Sequence, residues 1–319
     1  MKKFLLFALC VSTLIACDFS GGKMAYKDST GRINSLVIVI NNNDWKGIPG
    51  DKLRDIIAAP VLGLPQEENQ FSVTQVPVKT FKTILRASRN ILLVGLDSVN
   101  SYTVNKDLYA SPQIVMTILG KNEASLLKMI ENHKEDIIDV FKKADLKLYQ
   151  QKLSKRLWVN DSIETLKNLG VQLNIPKKYR KVDDTGEFLW FREKVEKGSI
   201  NIIGYELPLV EDIEGNIVMA RDTIGKKYIP GSLEGMYMIT EAAYSPHIMK
   251  TELGGKSAYE TRGKWEMKND VMAGPFLNYT VVDKENNRLL VFEGYAFAPN
   301  ANKRDYMFEL EAIIKTLKI

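Results

Sequence analysis

Nucleophilic and metal chemistry depend on cysteines and histidines in company, and this chain has only two of each. Neither His133 nor His247 has a second imidazole or thiolate at helical or hairpin spacing, so no metal site and no cofactor are expected. The chain lacks a G-x-S-x-G nucleophile elbow and the glycine-rich loops that cradle phosphates. Its one S-x-x-K match, "SLLK" at Ser125–Lys128, has neither of the companion motifs such enzymes carry. What remains is carboxylates beside aromatics. Asp44 and Trp45 close the first strand in "NNNDWKG", where an acid next to an indole suits contact with a sugar or peptide and equally suits a helix cap over a packing ring. "LPQEEN" sets Glu67 and Glu68 in a loop. His247 follows a proline in "YSPHIMK" and is the better functional candidate of the two histidines. In "KWEMKNDVMAGPF", alternation puts Trp265 and Met267 on one strand face, either as core or as a surface for a partner. Asp44, Trp45, Glu67, Glu68, His247 and Trp265 are therefore the candidate surface. Two functions are compatible with it: a non-enzymatic module binding an envelope protein or glycan, which we prefer, and a hydrolase of envelope glycan or peptide using acids such as Asp44 and Glu67.

The chain opens "MKKFLLFALCVSTLIAC". Two lysines, an uncharged run from Phe4 to Ala16 and a small residue before Cys17 make a secretory signal over residues 1–16. As a helix the run would reach only about 20 Å, short of a hydrocarbon layer roughly 30 Å thick. "LIAC" resembles the bacterial lipobox, whose cysteine is acylated and becomes the new N-terminus. Cys10 leaves with the signal, so Cys17 is the mature chain's sole thiol and no internal disulfide can form. Two or three acyl chains hold a protein on a bilayer where one is marginal. The reading is a lipid anchor at Cys17 with the bilayer as partner, then a flexible tether over 17–33 rich in glycine and small polar residues.

The body beyond it has ordinary globular composition, 45% hydrophobic and 26% charged. Its charge of +5 comes from 44 basic and 39 acidic side chains that interleave, and Lys2 and Lys3 belong to the signal. No nucleic-acid partner is expected from such a balance. "LVIVI", "FSVTQVPV", "NILLVGLD" and "PQIVMTILG" read as strands, and apolar spacing from Asn122 to about Leu157 reads as one long amphipathic helix. These make an N-terminal α+β half, 34–158. The C-terminal half, 159–319, begins with a helix stopped at Gly170 and holds two hairpin-helix units, each with Gly-Tyr on its second strand. The expected fold class is α+β, with mainly antiparallel sheets, helices packed on one face, and two related halves.

Several stretches resemble a family of Bacteroidota envelope lipoproteins known only as a domain of unknown function, number 4837. They are "DWKGIPGDKLRDIIAAPVLGLPQEENQF" and "RNILLVG" in the first half, and "RDTIGKKYIPGSLEGMYMITE", "KWEMKNDVMAGPF" and "NRLLVFEGYAFAP" with "KRDYMFELEAI" in the second. The resemblance implies a lipid-tethered envelope protein, on the outer membrane with its body in the periplasm. It brings no activity, cofactor or site residue.

Overall fold

The structure, a computed structural model, describes residues 27–319. The signal and the acylation expected at Cys17 lie outside the described residues.

The first part is a five-stranded sheet in the order β2-β1-β3-β5-β4. Its strands are β1 (Ser35–Val39), β2 (Ser72–Val76), β3 (Asn90–Leu96), β4 (Ser101–Lys106) and β5 (Ile114–Gly120). β1 pairs in parallel with β2 and β3, and β3 with β5; only β4 runs antiparallel, at the edge. "LVIVI" shows why. Leu36, Ile38 and Ile40 enter one apolar cluster and Val39 another on the opposite face, as a parallel strand covered on both sides must. Helices α1 (Asn42–Lys46) and α2 (Ile48–Ile57) fill the crossover from β1 to β2. Gly50 lets them pack: a Cβ there would stand 1.9 Å from the Trp45 carbonyl oxygen. The short helix α3 (Thr83–Arg86) and Phe81, Leu85 and Tyr109 cover the far face.

The long helix expected after β5 is two. α4 (Glu123–Asn132) starts in a capping box between Asn122 and Ser125, and α5 (Lys134–Leu153) follows a break at His133. A contact with another element accompanies the break. The His133 ring stacks on Tyr102 of β4 with centroids 3.7 Å apart, and its Nδ1 lies 2.9 Å from Asp136 Oδ2.

The second part is an eight-stranded antiparallel sheet in the order β10-β11-β12-β13-β8-β7-β6, with β9 beside β11. The strands are β6 (Arg180–Asp184), β7 (Phe188–Val195), β8 (Gly198–Pro208), β9 (Met238–Thr240), β10 (His247–Leu253), β11 (Lys256–Met267), β12 (Ala273–Asp283) and β13 (Arg288–Phe297). Both hairpins read from the sequence are present, as β7-β8 and β12-β13. They meet in the middle, where β8 pairs with β13 so that Gly204 faces Phe292 and Gly294 faces Ile202. The two Gly-Tyr pairs thus occupy two-fold-related places. The helices do not share that relation. α6 (Glu164–Leu169) and α8 (Arg304–Ile314) cover one face of the sheet, and α7 (Ile213–Tyr228) covers the other. β13 requires this, because Leu290 and Phe292 are buried on one side and Val291 and Tyr295 on the other. The protein is α+β, as its sequence implies, with helices on both faces of the larger sheet.

Under α7, Glu293 takes a forked pair of hydrogen bonds from Arg221, at 3.0 Å and 2.8 Å, and another from Asn278 Nδ2. The Arg221 guanidinium lies 3.9 Å above the Phe276 ring. Every group is buried and partnered, so this network serves packing. Losing one member would strand a charge at a cost of about 3–5 kcal/mol.

Candidate functional site

The chain's chemistry collects where the two parts meet. α5 packs along α8, and the loop from Val61 to Gln70 reaches across to both. Gly63 makes that loop's turn at φ +82°, so close to β11 that a Cβ would sit 3.0 Å from Arg262 Cβ. Glu68 then does what no local residue does for α8. Its carboxylate accepts the backbone N–H groups of Lys303, at 2.6 Å, and Arg304, at 3.1 Å, capping the helix from the other part of the molecule.

Between loop, α5, α8 and β11 lies a cleft of about 280 Å³. Five cations line it, Lys142 and Lys143 from α5, Arg304 and Lys315 from α8 and the turn after it, and Arg262 from β11, against the carboxylates Asp139 and Glu311. Four of these cations have an acidic partner. Arg262 donates to Glu260 at 2.6 Å and to Glu311 at 2.8 Å; Lys315 reaches Glu311, Lys143 reaches Asp139, and Arg304 reaches Asp305. Burial works against ionising Glu311, but Arg262 and Lys315 outweigh it and hold its pKa down at about 2. Tyr279, which donates to Glu260 at 2.6 Å, has its pKa raised by burial and by the charges of Glu311 and Glu260.

Lys142 is different. Its ammonium donates to Asn34 Oδ1 at 2.7 Å and to the Gln70 carbonyl at 2.8 Å, both neutral acceptors. The rings of Phe71 and Phe308 flank it at 4.9 Å and 5.6 Å. Burial, then the nearby Arg304 charge, lowers its pKa to about 8, against the opposing pull of Glu311, Asp145 and Asp305. It keeps one ammonium hydrogen beyond those two bonds, in a cleft whose other cations are already matched. An anionic oxygen would complete it.

Just behind stands a second shared node. Asp145, wholly buried on α5, accepts from the Asn34 backbone at 2.8 Å and from Arg89 at 2.9 Å, while the Asn34 side chain donates to Asp305. Glu309 of α8 accepts from Tyr149 at 2.6 Å and Tyr179 at 2.7 Å and pairs with Lys178 at 2.6 Å. These hold the cleft's walls in place.

The residues singled out from the sequence fall in three places. Glu68 caps α8 beneath the cleft, Glu67 is exposed on the same loop, and His247 stands opposite Arg262 on edge strand β10, beside Tyr244 at 3.2 Å. Those three lie around the seam. Asp44 and Trp45 lie in α1 at the far end of α2, about 15 Å of helix from the Glu67 loop. Trp45 packs against the helix-side core under the Arg54 guanidinium, 4.6 Å away. Trp265, 1% exposed, is in the core beneath α7 and donates its indole N–H to the Ala296 carbonyl. Sequence reasoning missed Lys142, Arg262, Arg304 and Glu311. Only Asp145 left a signal, as an acid in the i, i+4, i+8 row of Ile137 and Phe141 where an apolar residue belongs.

Among the described residues, no group of three or more His, Cys, Asp or Glu is placed to hold a metal, and no helix is long and apolar enough to cross a membrane. No curated protein matches the chain. Among solved structures, LpqN of Mycobacterium tuberculosis, described as involved in cell envelope biogenesis, is similar over 46% of this chain and 82% of its own, at 14% identity and a TM-score of 0.31. The Ran-binding protein Mog1p of Saccharomyces cerevisiae is similar over 47% of this chain and 89% of its own, at 8% identity and a TM-score of 0.33. At such scores neither bears on what this chain does. The families divide at the seam: the N-terminal stretches that resembled one family fall in another. Residues 29–154 match the family described as Domain of unknown function (DUF8532) and residues 158–316 that described as Domain of unknown function (DUF4837), so each of the two parts matches an uncharacterised-domain family.

Proposed function

We propose that the protein is a lipid-anchored binding module of the cell envelope, held on the outer membrane through Cys17 with its body in the periplasm. Its ligand presents an anionic group, carboxylate or phosphate, to the cleft between the two parts. The single observation that carries the binding role is Lys142, a half-buried lysine whose two acceptors are neutral in a cleft whose other four cations each have an acidic partner. The sequence from Met1 to Cys17 supports the location.

Calorimetric titration of the protein with uronates and sugar phosphates at pH 7 tests the binding role. Lys142→Met is expected to weaken the tightest of these at least tenfold. Wild-type affinity is expected to fall as the pH rises through about 8, where the free ammonium loses its proton. A bound anion raises the lysine's pKa, so binding near pH 8 takes up protons, seen as a heat that varies with the buffer's ionisation enthalpy. Affinity indifferent to Lys142 would sink the reading. Mass analysis of the membrane-extracted chain addresses the anchor: an acylated Cys17 at the N-terminus is expected, and Cys17→Ser is expected to release the body from membranes.

A further inference from the structure

On the side of α5 turned away from α8 runs a second groove, of about 570 Å³. One wall is a stripe of α5, with Val140, Ala144 and Leu148 half-buried and Lys143 and Lys147 exposed beside them. The other is β4, which pairs with β5 on one side only and brings Val104 and Lys106 to the rim. Lys143 lines this groove and the cleft alike, so the two adjoin at that side chain. Neither Lys106 nor Lys147 makes an ion pair among the described residues. The groove is thus an apolar floor between basic edges, next to the unpaired backbone of an edge strand; its one acid, Asp107, is engaged by the Gln113 backbone N–H at 2.8 Å.

The spacing of these groups narrows the occupant. Lys143, whose exposed pair with Asp139 a second acid would share, and Lys147 are one helical turn apart, about 6 Å along the axis. Residues i and i+2 of an extended chain are about 6.6 Å apart and share a side, while the residue between them points the other way. A chain with acids at alternate positions would meet both lysines and turn the apolar side chains between them across the groove, onto Val104 and Pro112 of the facing wall. A block of acids would not. We infer that this groove binds an extended peptide segment of a partner protein in which acidic and apolar residues alternate. The inference rests on the reading of the cleft only through Lys143, which would guide the segment's end toward it.

Fluorescence anisotropy with the full chain and labelled peptides decides the matter. A Glu-Leu-Glu-Leu-Glu peptide is expected to bind at least tenfold tighter than Glu-Glu-Glu-Leu-Leu, of the same composition. Lys147→Glu, a change at an exposed side chain, is expected to cut affinity for the alternating peptide at least tenfold and to leave uronate binding in the cleft unchanged. Equal binding of both peptides overturns the inference. So does an oligogalacturonate that competes at equal affinity, since the occupant is then a glycan. A tenfold gain on replacing Phe19, Met24 and Tyr26 by serine also overturns it, since the chain's own N-terminal segment then fills the groove. The two proposals fail separately: uronate binding lost to Lys142→Met speaks only for the cleft, and peptide binding lost to Lys147→Glu only for the groove.

Discussion

Single side chains carry this protein's charge in two ways, and pH separates them. Glu311 is held ionised by Arg262 and Lys315 with its pKa at about 2, below the unfolded carboxylate's. Its contribution to stability is complete above the unfolded value and is lost as the pH falls toward about 2. Asp283 does the same at the other end of the sheet: burial opposes its charge, but Asn286, Arg288 and Lys256 lower its pKa to about 2. Acid unfolding followed by circular dichroism is therefore expected to steepen below pH 4.5, and Glu311→Gln to flatten that slope while lowering stability at pH 7. Lys142 has the opposite sign. Its pKa lies below the unfolded lysine's, so its burial is a cost at neutral pH that is relieved as the pH rises from about 8 toward 10.5. None of this was legible in the sequence beyond the composition. Lys142 sits in "VFKKAD", one of many basic-acidic runs that read as solvated helix faces, and its burial comes from Phe71 and Phe308, which the chain brings from far away on either side.

At the level of elements the sequence was a better guide, because periodicity is local. The hairpins β7-β8 and β12-β13 and the helix stopped at Gly170 stand where alternation and the left-handed cap put them. Misses came where tertiary partners decide. β10, β6 and β4 are edge strands with mostly exposed side chains and hence weak alternation, and α4-α5 breaks at a histidine that stacks on Tyr102 of β4. Two substitutions probe junctions between elements. Glu68→Ala removes the cap that α8 borrows from the other part; a loss of about 1 kcal/mol is expected, read by urea unfolding. Gly50→Ala would press a methyl into the Trp45 backbone. It is expected to cost about 1–3 kcal/mol and to shift the tryptophan fluorescence as Trp45 is displaced from Arg54.

Over the whole molecule, the two family matches stop and restart between residues 154 and 158, yet the structure does not divide there so cleanly. Glu68 caps a helix of the second part, Asn34 ties to Asp305, and Tyr149 of α5 shares Glu309 with Tyr179 and Lys178. The sequence could separate the parts by pattern but could not show that each completes the other's polar groups. That mutual completion has a consequence for a severed chain. Lys155 is exposed in the connection between α5 and Trp158. Trypsin nicking there is expected to leave both fragments bound together on a sizing column at neutral pH, because parting them would take Tyr149 from the Glu309 carboxylate and the Glu68 cap from the α8 terminus. Expressed alone, either fragment is expected to be poorly soluble, and mixing the two during refolding to rescue both.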